Sequence, residues 1–270
     1  MRVGLYVIGD EILSGKRADR HLPHLAGLLH ERGLSLSWAH FLPDEHEALV
    51  SAFRRSLAGS DVVFSCGGIG ATPDDHTRQA AAEAAGTDLW LSPQARDLIA
   101  RAVAKRGLLD LSTPEGERIL MMGEFPRGAE IIPNPYNGIP GFRLGEHHFL
   151  PGFPVMAWPM MQWVLETRYR ERLRGDAGAE RSVILYGVRE STITPLMQQI
   201  EQSHPGVKTF SLPSVGDGSD GRPPRRHVEL GVKGPAPLVV AAFRQLQEEL
   251  ARMGLAAEPV PPPAPAAADQ

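Results

Sequence analysis

A short segment of the sequence combines the backbone freedom of glycine with concentrated negative charge. The segment CGGIGATPDD, residues 66–75, holds three glycines followed by two adjacent carboxylates. Glycine has no Cβ, so its backbone N–H groups can approach a ligand closely, and a helix that follows adds a positive N-terminal end. A tight turn would explain one glycine, whereas three glycines and two acids favour a phosphate-binding loop. The candidate phosphate contacts are Gly67, Gly68 and Gly70.

The two carboxylates need a separate explanation, because a bare carboxylate repels phosphate. A divalent cation between the two groups reverses the sign of the interaction, and Mg²⁺ typically takes one or two carboxylates plus phosphate oxygens. We therefore predict that Asp75 is a metal ligand or a general base. Of the two acids, Asp74 is the better candidate for a helix N-cap, and it also lies where a ligand would bind. The predicted cofactor is Mg²⁺, Mn²⁺ or Co²⁺.

A second loop, GDEILSGKR at residues 9–17, is close to a P-loop but differs from it. Five residues separate Gly9 from Gly15, and Arg17 stands where a P-loop has the Ser or Thr that holds Mg²⁺. The sequence thus excludes an ordinary P-loop NTPase. The loop still follows a strand and precedes a helix, so we expect it to line the same crevice, either as a ligand contact or as a solvated turn. Its candidate contacts to phosphate, metal or ribose are Gly9, Asp10 and Glu11.

The elements that position these loops alternate between strand and helix. Apolar runs predict strands at 2–8, 34–42 and 61–66, and apolar periodicity predicts helices at 19–32, 44–59, 76–86, 93–107, 114–122 and 155–172. Asp44 is predicted to cap the second of these helices. The alternation indicates a mostly parallel sheet with helices on both faces, with short strands over 129–154, in a domain of residues 1–173. Ligands of such sheets bind beyond the carboxyl ends of the strands.

The remaining sequence predicts a smaller α+β domain at residues 181–255, after a linker at 174–180. Its predicted order is β-α-β-β-α, with strands near 181–188, 207–213 and 226–234 and helices at 192–203 and 236–253. Residues 256–270 are rich in proline and alanine, which predicts a disordered tail.

Composition narrows the class of protein. The 270 residues carry a formal charge of −4, with a pI of about 6.2, which offers no broad basic field for nucleic acid or an anionic membrane. No apolar run reaches the length of a membrane span, and the N-terminus resembles a first strand. The single cysteine, Cys66, excludes an intrachain disulfide and is predicted to be a buried, inert thiol. We expect a cytoplasmic protein whose histidines serve packing or lie at the surface.

Five motifs occur in an order that identifies a family. VIGDEILSG, LPDEHEAL, GGIGATPDDHT, FPRGAEIIPNPYNGIPGF and FLPGFP together resemble the molybdopterin-binding fold of molybdenum-cofactor biosynthesis proteins. The sequence is more similar to the N-terminal part of competence/damage-inducible protein A (CinA). The resemblance covers about residues 1–170 and the small domain, and it implies a three-layer α/β/α fold that binds a phosphate-bearing pterin or nucleotide.

The resemblance also implies functional residues. The family's functional aspartates, after the second strand and at the end of the glycine loop, correspond to Asp44 and Asp75. The family loop commonly reads GGTGPT, and Ile69 here lacks the threonine hydroxyl, whereas Thr72 is retained. The motif positions add Asn134 and Gly152 as ligand contacts. Relatives often carry a C-terminal amidase, for which we expect no counterpart in this sequence.

Three functions follow from the residues and the resemblance. The first is metal-dependent hydrolysis of a nucleotide diphosphate, with ADP-ribose as the substrate that the CinA branch implies. The second is adenylyl transfer to molybdopterin, and the third is binding of a nucleotide or pterin without chemistry. In each, the partner is a small phosphate-bearing molecule, with no nucleic acid or membrane partner, and we expect a homo-oligomer.

Overall fold

The structure is a computed structural model that describes residues 1–106, 111–173, 178–215 and 225–260. Contacts between Cα atoms divide the chain into two compact units, Met1–Arg174 and Gly175–Gln270. Most of the predicted linker, residues 174–177, and the end of the predicted tail, residues 261–270, lie outside the described residues. No helix in the described ranges is long and apolar enough to cross a membrane.

The first unit is built on a six-stranded, mostly parallel sheet. Its strand order is β2-β1-β3-β8-β7-β6, in which β2, β1, β3 and β8 are parallel neighbours and β7 is antiparallel to both β8 and β6. A separate two-stranded antiparallel sheet joins β4 and β5. The strands are β1 (Val3–Ile8), β2 (Trp38–Leu42), β3 (Val62–Cys66), β4 (Leu89–Leu91), β5 (Glu124–Pro126), β6 (Glu130–Ile132), β7 (Gly141–Leu144) and β8 (His147–Leu150).

Helices cover both faces of this sheet, which makes the unit a three-layer α/β/α fold. Alternate residues of β1 point to opposite faces, as the period of a strand requires. Val3, Leu5 and Val7 enter a core with α2 and α7, whereas Tyr6 and Ile8 enter a core with α3 and α4. The helices are α1 (Asp10–Leu13), α2 (His21–His30), α3 (His46–Leu57), α4 (Thr77–Ala84), α5 (Pro93–Arg106), α6 (Pro114–Met121) and α7 (Pro154–Arg168).

The structure corrects several boundaries in this unit. The strand predicted at 34–42 is shorter, because β2 begins at Trp38, and the three-residue strands β4 and β5 were not predicted. The prediction that Asp44 caps a helix is wrong: α3 begins at His46, its N-cap is Glu45, and that position makes no side-chain capping bond. Asp44 instead lies in the loop between β2 and α3.

The second unit is a four-stranded antiparallel sheet with its buried residues packed against two helices. The strand order is β10-β11-β9-β12. Its core combines Val183 and Leu185 of β9 with apolar side chains of both helices. The elements are β9 (Gly178–Tyr186), α8 (Glu190–Ser203), β10 (Lys208–Ser214), β11 (His227–Pro235), α9 (Ala236–Arg252) and β12 (Ala257–Pro259).

Two predictions for the second unit are wrong at their edges. Residues 178–180, assigned to a linker, belong to β9. Residues 257–259, assigned to a disordered tail, form the edge strand β12, which pairs antiparallel with β9 in the register Ala257↔Leu185 to Pro259↔Val183. The order is therefore β-α-β-β-α-β. Proline has no backbone N–H to donate to a neighbouring strand. An edge strand has a neighbour on one side only, so it can accommodate Pro259.

Candidate functional site

The carboxyl ends of five strands open into one cleft of about 850 Å³ in the first unit. The cleft is lined by the loops that follow β1, β2, β3, β6 and β8. Parallel strands bring their carboxyl ends to one edge of a sheet, so residues from distant parts of the chain meet there. Of the twelve predicted site residues, Asp10 alone does not line the cleft. The eleven that do are Gly9, Glu11, Asp44, Gly67, Gly68, Gly70, Thr72, Asp74, Asp75, Asn134 and Gly152.

The first glycine of the loop after β3 has no room for a side chain. Gly67 has a φ of 119°, which L-residues rarely adopt, and a Cβ there would overlap the carbonyl oxygen of Ile8 on the neighbouring strand. Its N–H donates to Leu150 O at 3.0 Å, and its carbonyl accepts from Thr77 Oγ1 at 3.0 Å. The loop is therefore fixed between β1, β8 and the start of α4.

The other two glycines also let the loop pack closely on its own residues. Gly68 has a φ of 66°, and a Cβ there would overlap the Thr77 hydroxyl. A Cβ at Gly70 would overlap the carboxylate of Asp75. All three glycines thus permit close packing of the loop on neighbouring residues of the chain, and the approach of a phosphate to the loop stays a prediction.

A buried arginine supports this loop from behind. Arg78 is only 1% exposed. Its guanidinium donates to Gly70 O at 2.7 Å, to Met121 O and, at 3.4 Å, to Glu124 O. Burial lowers the pKa of Arg78, while the nearby Glu124 and Asp75 raise it. The sequence did not predict a role for Arg78. The only feature that sets it apart in the sequence is its charge on an alanine-rich helix.

Two aspartates that follow the neighbouring strands β1 and β2 bind each other's backbone at one edge of the cleft. Asp10 N donates to Asp44 Oδ2 at 2.9 Å, and Asp44 N donates to Asp10 Oδ1 at 3.3 Å. Desolvation raises the pKa of Asp44, the hydrogen bond from Asp10 N lowers it, and the charges of Asp10, Glu11 and Asp74 raise it. Asp44 therefore ionises among carboxylates, which is an environment that a bound cation would relieve.

The last aspartate of the glycine loop holds a turn of that loop. Asp75 Oδ2 accepts from Thr72 N at 2.8 Å and from the Thr72 hydroxyl. The predicted helix cap at Asp74 is wrong, because α4 begins at Thr77 and its N-cap, His76, makes no side-chain capping bond. The nearby Thr72 side chain and the backbone N–H of Asp74 lower the pKa of Asp74. Both carboxylates consequently remain at the cleft.

The two remaining predicted contacts lie on the other walls of the cleft. Asn134 is buried, and its Oδ1 accepts from Tyr136 N at 3.0 Å and from Asn137 N at 3.5 Å, which leaves the amide nitrogen to donate to a ligand. Gly152 O accepts a hydrogen bond of 2.9 Å from His21 Nε2. Because a carbonyl only accepts, Nε2 carries the proton of this imidazole, and burial lowers the pKa of His21.

The thiol of Cys66, at the floor of the cleft, and the paired histidines His147 and His148 are almost fully buried. Cys66 is buried, and desolvation raises the pKa of its thiol, which confirms the prediction of an inert cysteine. His147 and His148 are buried as well, with Ser65 Oγ 2.6 Å from His147 Nε2 and Tyr169 Oη 3.2 Å from His148 Nε2. These two histidines are packing residues, as predicted.

The cleft has an unbalanced charge and an apolar wall that the sequence did not reveal. Five carboxylates and two guanidiniums line it, so an anionic ligand would meet net repulsion without a cation. Within the ranges that the structure describes, no group of three His, Cys, Asp or Glu side chains could hold a metal ion alone. The lining residues that were not predicted include Arg17, Asp19, Arg20, His21, Ile139, Phe153 and Met156.

The sheet, the glycine loop and the cleft at the strand ends define a three-layer α/β protein with a ligand cleft at the carboxyl edge of its sheet. The family described as "Probable molybdopterin binding domain" matches residues 4–171. The chain therefore belongs to this family, and the resemblance predicted from the five ordered motifs is confirmed. The match covers the six-stranded sheet of the first unit except its first residue, Val3, and all of the loops that line the cleft.

Individual relatives extend the comparison. A CinA-like protein of Citrifermentans bemidjiense is 38% identical over 205 residues, which cover 73% of this chain and 47% of that protein. A protein of Caldivirga maquilingensis is 31% identical over 212 residues, which cover 77% of this chain and 79% of that protein. The chain spans about half the length of the CinA-like relatives it matches.

A solved structure of a related protein shares the fold. It is the crystal structure of the protein CinA, of unknown function, from Thermoplasma acidophilum. It is 28% identical, with a TM-score of 0.53, and the match covers 62% of this chain and 98% of that one.

Proposed function

We propose that this protein is a divalent-metal-dependent hydrolase of a nucleotide diphosphate, with ADP-ribose as its substrate. One observation carries the proposal: the glycine loop and five carboxylates line the same cleft. The loop suits phosphate, and the carboxylates suit the cation that phosphate then requires. The resemblance of the motifs to the CinA branch supports the choice of ADP-ribose.

The residues of the chain would divide the reaction between them. The N–H groups of the loop from Gly67 to Gly70 would bind the diphosphate. Asp75 and Asp44 would hold the metal or orient the attacking water. Water would form a bond to one phosphorus as the bridging P–O bond breaks, and the products would be AMP and ribose 5-phosphate.

The donor set of the cleft fits a hard divalent cation. The available side-chain ligands are carboxylate oxygens, which Mg²⁺ and Mn²⁺ prefer. Because no described group of three residues could hold the ion alone, the diphosphate would complete the coordination of a metal held by Asp75 and Asp44. The bound cation would offset the charge that develops on the leaving phosphate.

A second function has its own support. The match to the family described as "Probable molybdopterin binding domain" favours a pterin phosphate in the same cleft. Adenylyl transfer to that pterin, or binding of it without chemistry, would use the same glycine loop. Tight pterin binding with ATP turnover would select transfer, and ligand binding without turnover under any metal would select a binding module.

A substitution at Asp75 tests the proposed hydrolase. Asp75→Asn keeps the size of the side chain, and an amide oxygen can still accept from Thr72 N, so the turn should survive. Loss of the charge should lower metal-dependent hydrolysis of ADP-ribose by roughly 100-fold or more if Asp75 serves the metal or the base. The measurement is turnover with Mg²⁺, Mn²⁺ and Co²⁺, with circular dichroism melts alongside.

A neighbouring variant supplies the control. Asp74→Asn removes a charge one residue away, and we expect a milder loss of turnover. Normal turnover in Asp75→Asn would remove that residue from the mechanism. Absence of ADP-ribose hydrolysis by the unaltered protein with all three metals would contradict the proposed function itself.

A further inference from the structure

The cleft presents an exposed aromatic ring that packing within the first unit does not explain. Phe153 lines the cleft and is 56% exposed, although an aromatic side chain of its size normally gains much from burial. Apolar residues from two other segments, Ile12, Ile139 and Pro140, line the same cleft, together with Met156 of the helix that Phe153 caps. An exposed ring in a concave, partly apolar site is the kind of surface on which a planar ligand group stacks.

The backbone around Phe153 holds the residue in place. Phe153 is the N-cap of α7, and its carbonyl accepts from Met156 N at 3.0 Å and from Ala157 N at 2.9 Å. Pro154 follows at the first helical position, where its fixed φ suits the start of a helix. On the other side, Gly152 O is bound by His21 Nε2. The ring is therefore carried by a backbone that is anchored at both ends.

The same anchoring places Phe153 beside the glycine loop. A Cβ at Gly152 would lie 3.4 Å from the Cα of Gly67, so the two glycines are in contact. Phe153 is the next residue, about 3.8 Å further along the chain between Cα atoms. A ligand whose phosphate lies on the glycine loop can thus have its next groups over the ring.

We propose that Phe153 stacks on a planar heteroaromatic ring of the ligand and so selects phosphate compounds that carry a base or a pterin over phosphates that carry none. The proposal rests on the proposed function in one respect, the placement of a phosphate on the glycine loop. It holds for a nucleotide and for a pterin alike. Phe153 is a specificity residue in this assignment, with no part in the chemical step.

Binding titrations with ring-bearing and ring-free phosphates test the inference. The ring-bearing probes are ADP-ribose and AMP, and the ring-free probes are ribose 5-phosphate and inorganic pyrophosphate, all measured by calorimetry with Mg²⁺ on the full chain. Phe153→Ala should weaken ADP-ribose and AMP by roughly 10-fold or more, as loss of base–aromatic stacking does. Pyrophosphate and ribose 5-phosphate should bind within about twofold of their original affinity, because phosphate contacts are unaltered.

Two further variants separate stacking from local structure. Phe153→Trp keeps a flat ring and should restore binding of ADP-ribose. Val155→Ala truncates an apolar side chain that is 52% exposed, two residues away and not in the lining of the cleft, and it should leave all four affinities unchanged. Melting temperatures of the three variants should match that of the unaltered protein, since both side chains are largely exposed.

Each outcome decides between the claims. Equal weakening of all four probes by Phe153→Ala, or no weakening of the ring-bearing ones, would overturn the stacking role. Failure of the unaltered protein to bind either ring-bearing probe would overturn it too. Binding of ADP-ribose that depends on Phe153 but is never followed by hydrolysis would contradict the proposed hydrolase and leave the stacking role standing.

Discussion

Asp44 ionises in a setting that opposes its charge. Partial burial and the carboxylates of Asp10, Glu11 and Asp74 raise its pKa, and the hydrogen bond from Asp10 N compensates only in part. A raised carboxyl pKa means that the folded chain holds this proton more tightly than the unfolded chain does. The free energy of unfolding therefore falls as the pH rises from the ordinary carboxyl pKa, near 4, through the raised value.

The first prediction, at the scale of a residue, follows from this fall in the free energy of unfolding. Asp44→Asn removes the charge, keeps an acceptor for Asp10 N, and should raise the melting temperature at pH 7 by a few degrees or less. The difference between the two proteins should disappear below about pH 4, where the unfolded Asp44 is protonated as well. Melting curves of both proteins between pH 3 and pH 8 measure this.

Asp74 provides a control of opposite sign. The nearby Thr72 side chain and the backbone N–H of Asp74 lower the pKa of Asp74, so its charge stabilises the folded state above the ordinary carboxyl pKa. Asp74→Asn should leave the melting temperature at pH 7 unchanged or lower it slightly. A lower melting temperature for Asp44→Asn at pH 7 would show that the charge of Asp44 does not destabilise the folded state.

A second prediction concerns the glycine loop. Gly67→Ala should lower the free energy of unfolding by roughly 3 kcal/mol, since it combines a disfavoured φ with overlap of the Ile8 carbonyl. The matched control is Gly86→Ala, at a φ of 65° with no atom within 4 Å of the new Cβ, which should cost about 1 kcal/mol. Urea unfolding of both variants measures the difference, and equal costs would show that the loop yields to the extra carbon.

At the scale of elements, the sequence predicted the strands that have long apolar runs and missed the strands of three residues. Apolar runs identified β1 and β3, which are buried along their whole length. Strands β4 and β5 span three residues each, which is too few for a period to emerge, and they depend on each other for pairing. The strand β12 contains Pro259 and is exposed throughout, so no local pattern predicts it, and it is recognised only by its pairing with β9.

The edge strand β12 yields a third prediction. A chain that ends at Val260 keeps all of the pairing with β9 and should melt with the full-length chain. A chain that ends at Leu255 loses that pairing, exposes backbone groups of β9 at Val183 and Ile184, and should melt several degrees lower. Calorimetric scans of the two truncated chains measure this. Identical melting would show that β12 adds no stability to the sheet.

At the scale of the whole molecule, the order of elements predicted the cleft, but not the contacts that complete it. Alternating strands and helices implied that the loops at Gly9, Asp44 and Gly67 share one edge of a sheet, and they do. The support from Arg78 to Met121 and the bond from His21 to Gly152 span 43 and 131 positions of the chain. Contacts of that separation leave no local pattern in a sequence.

A fourth prediction, at the scale of the whole molecule, concerns the two compact units. The first has two cores of its own, the second has a third, and all residues that line the cleft lie between Val7 and Met156. A chain of residues 1–173 should therefore bind ADP-ribose within about twofold of the full chain, since every contact is retained. Calorimetric titration measures this, and a large loss would contradict the assignment of the whole cleft to the first unit.

In the first unit, most of the residues that form the cores differ from those that line the cleft, and this separation has an evolutionary consequence. The strands and the helices that cover them form the cores, while the loops beyond the strands line the cleft, and each loop follows a different strand. A change in one loop, such as the residue after Gly152, can alter which compound fits without disturbing the cores. Descendants of one ancestral scaffold could thus acquire new substrates one loop at a time, with selection on stability and on specificity acting on separate sets of positions.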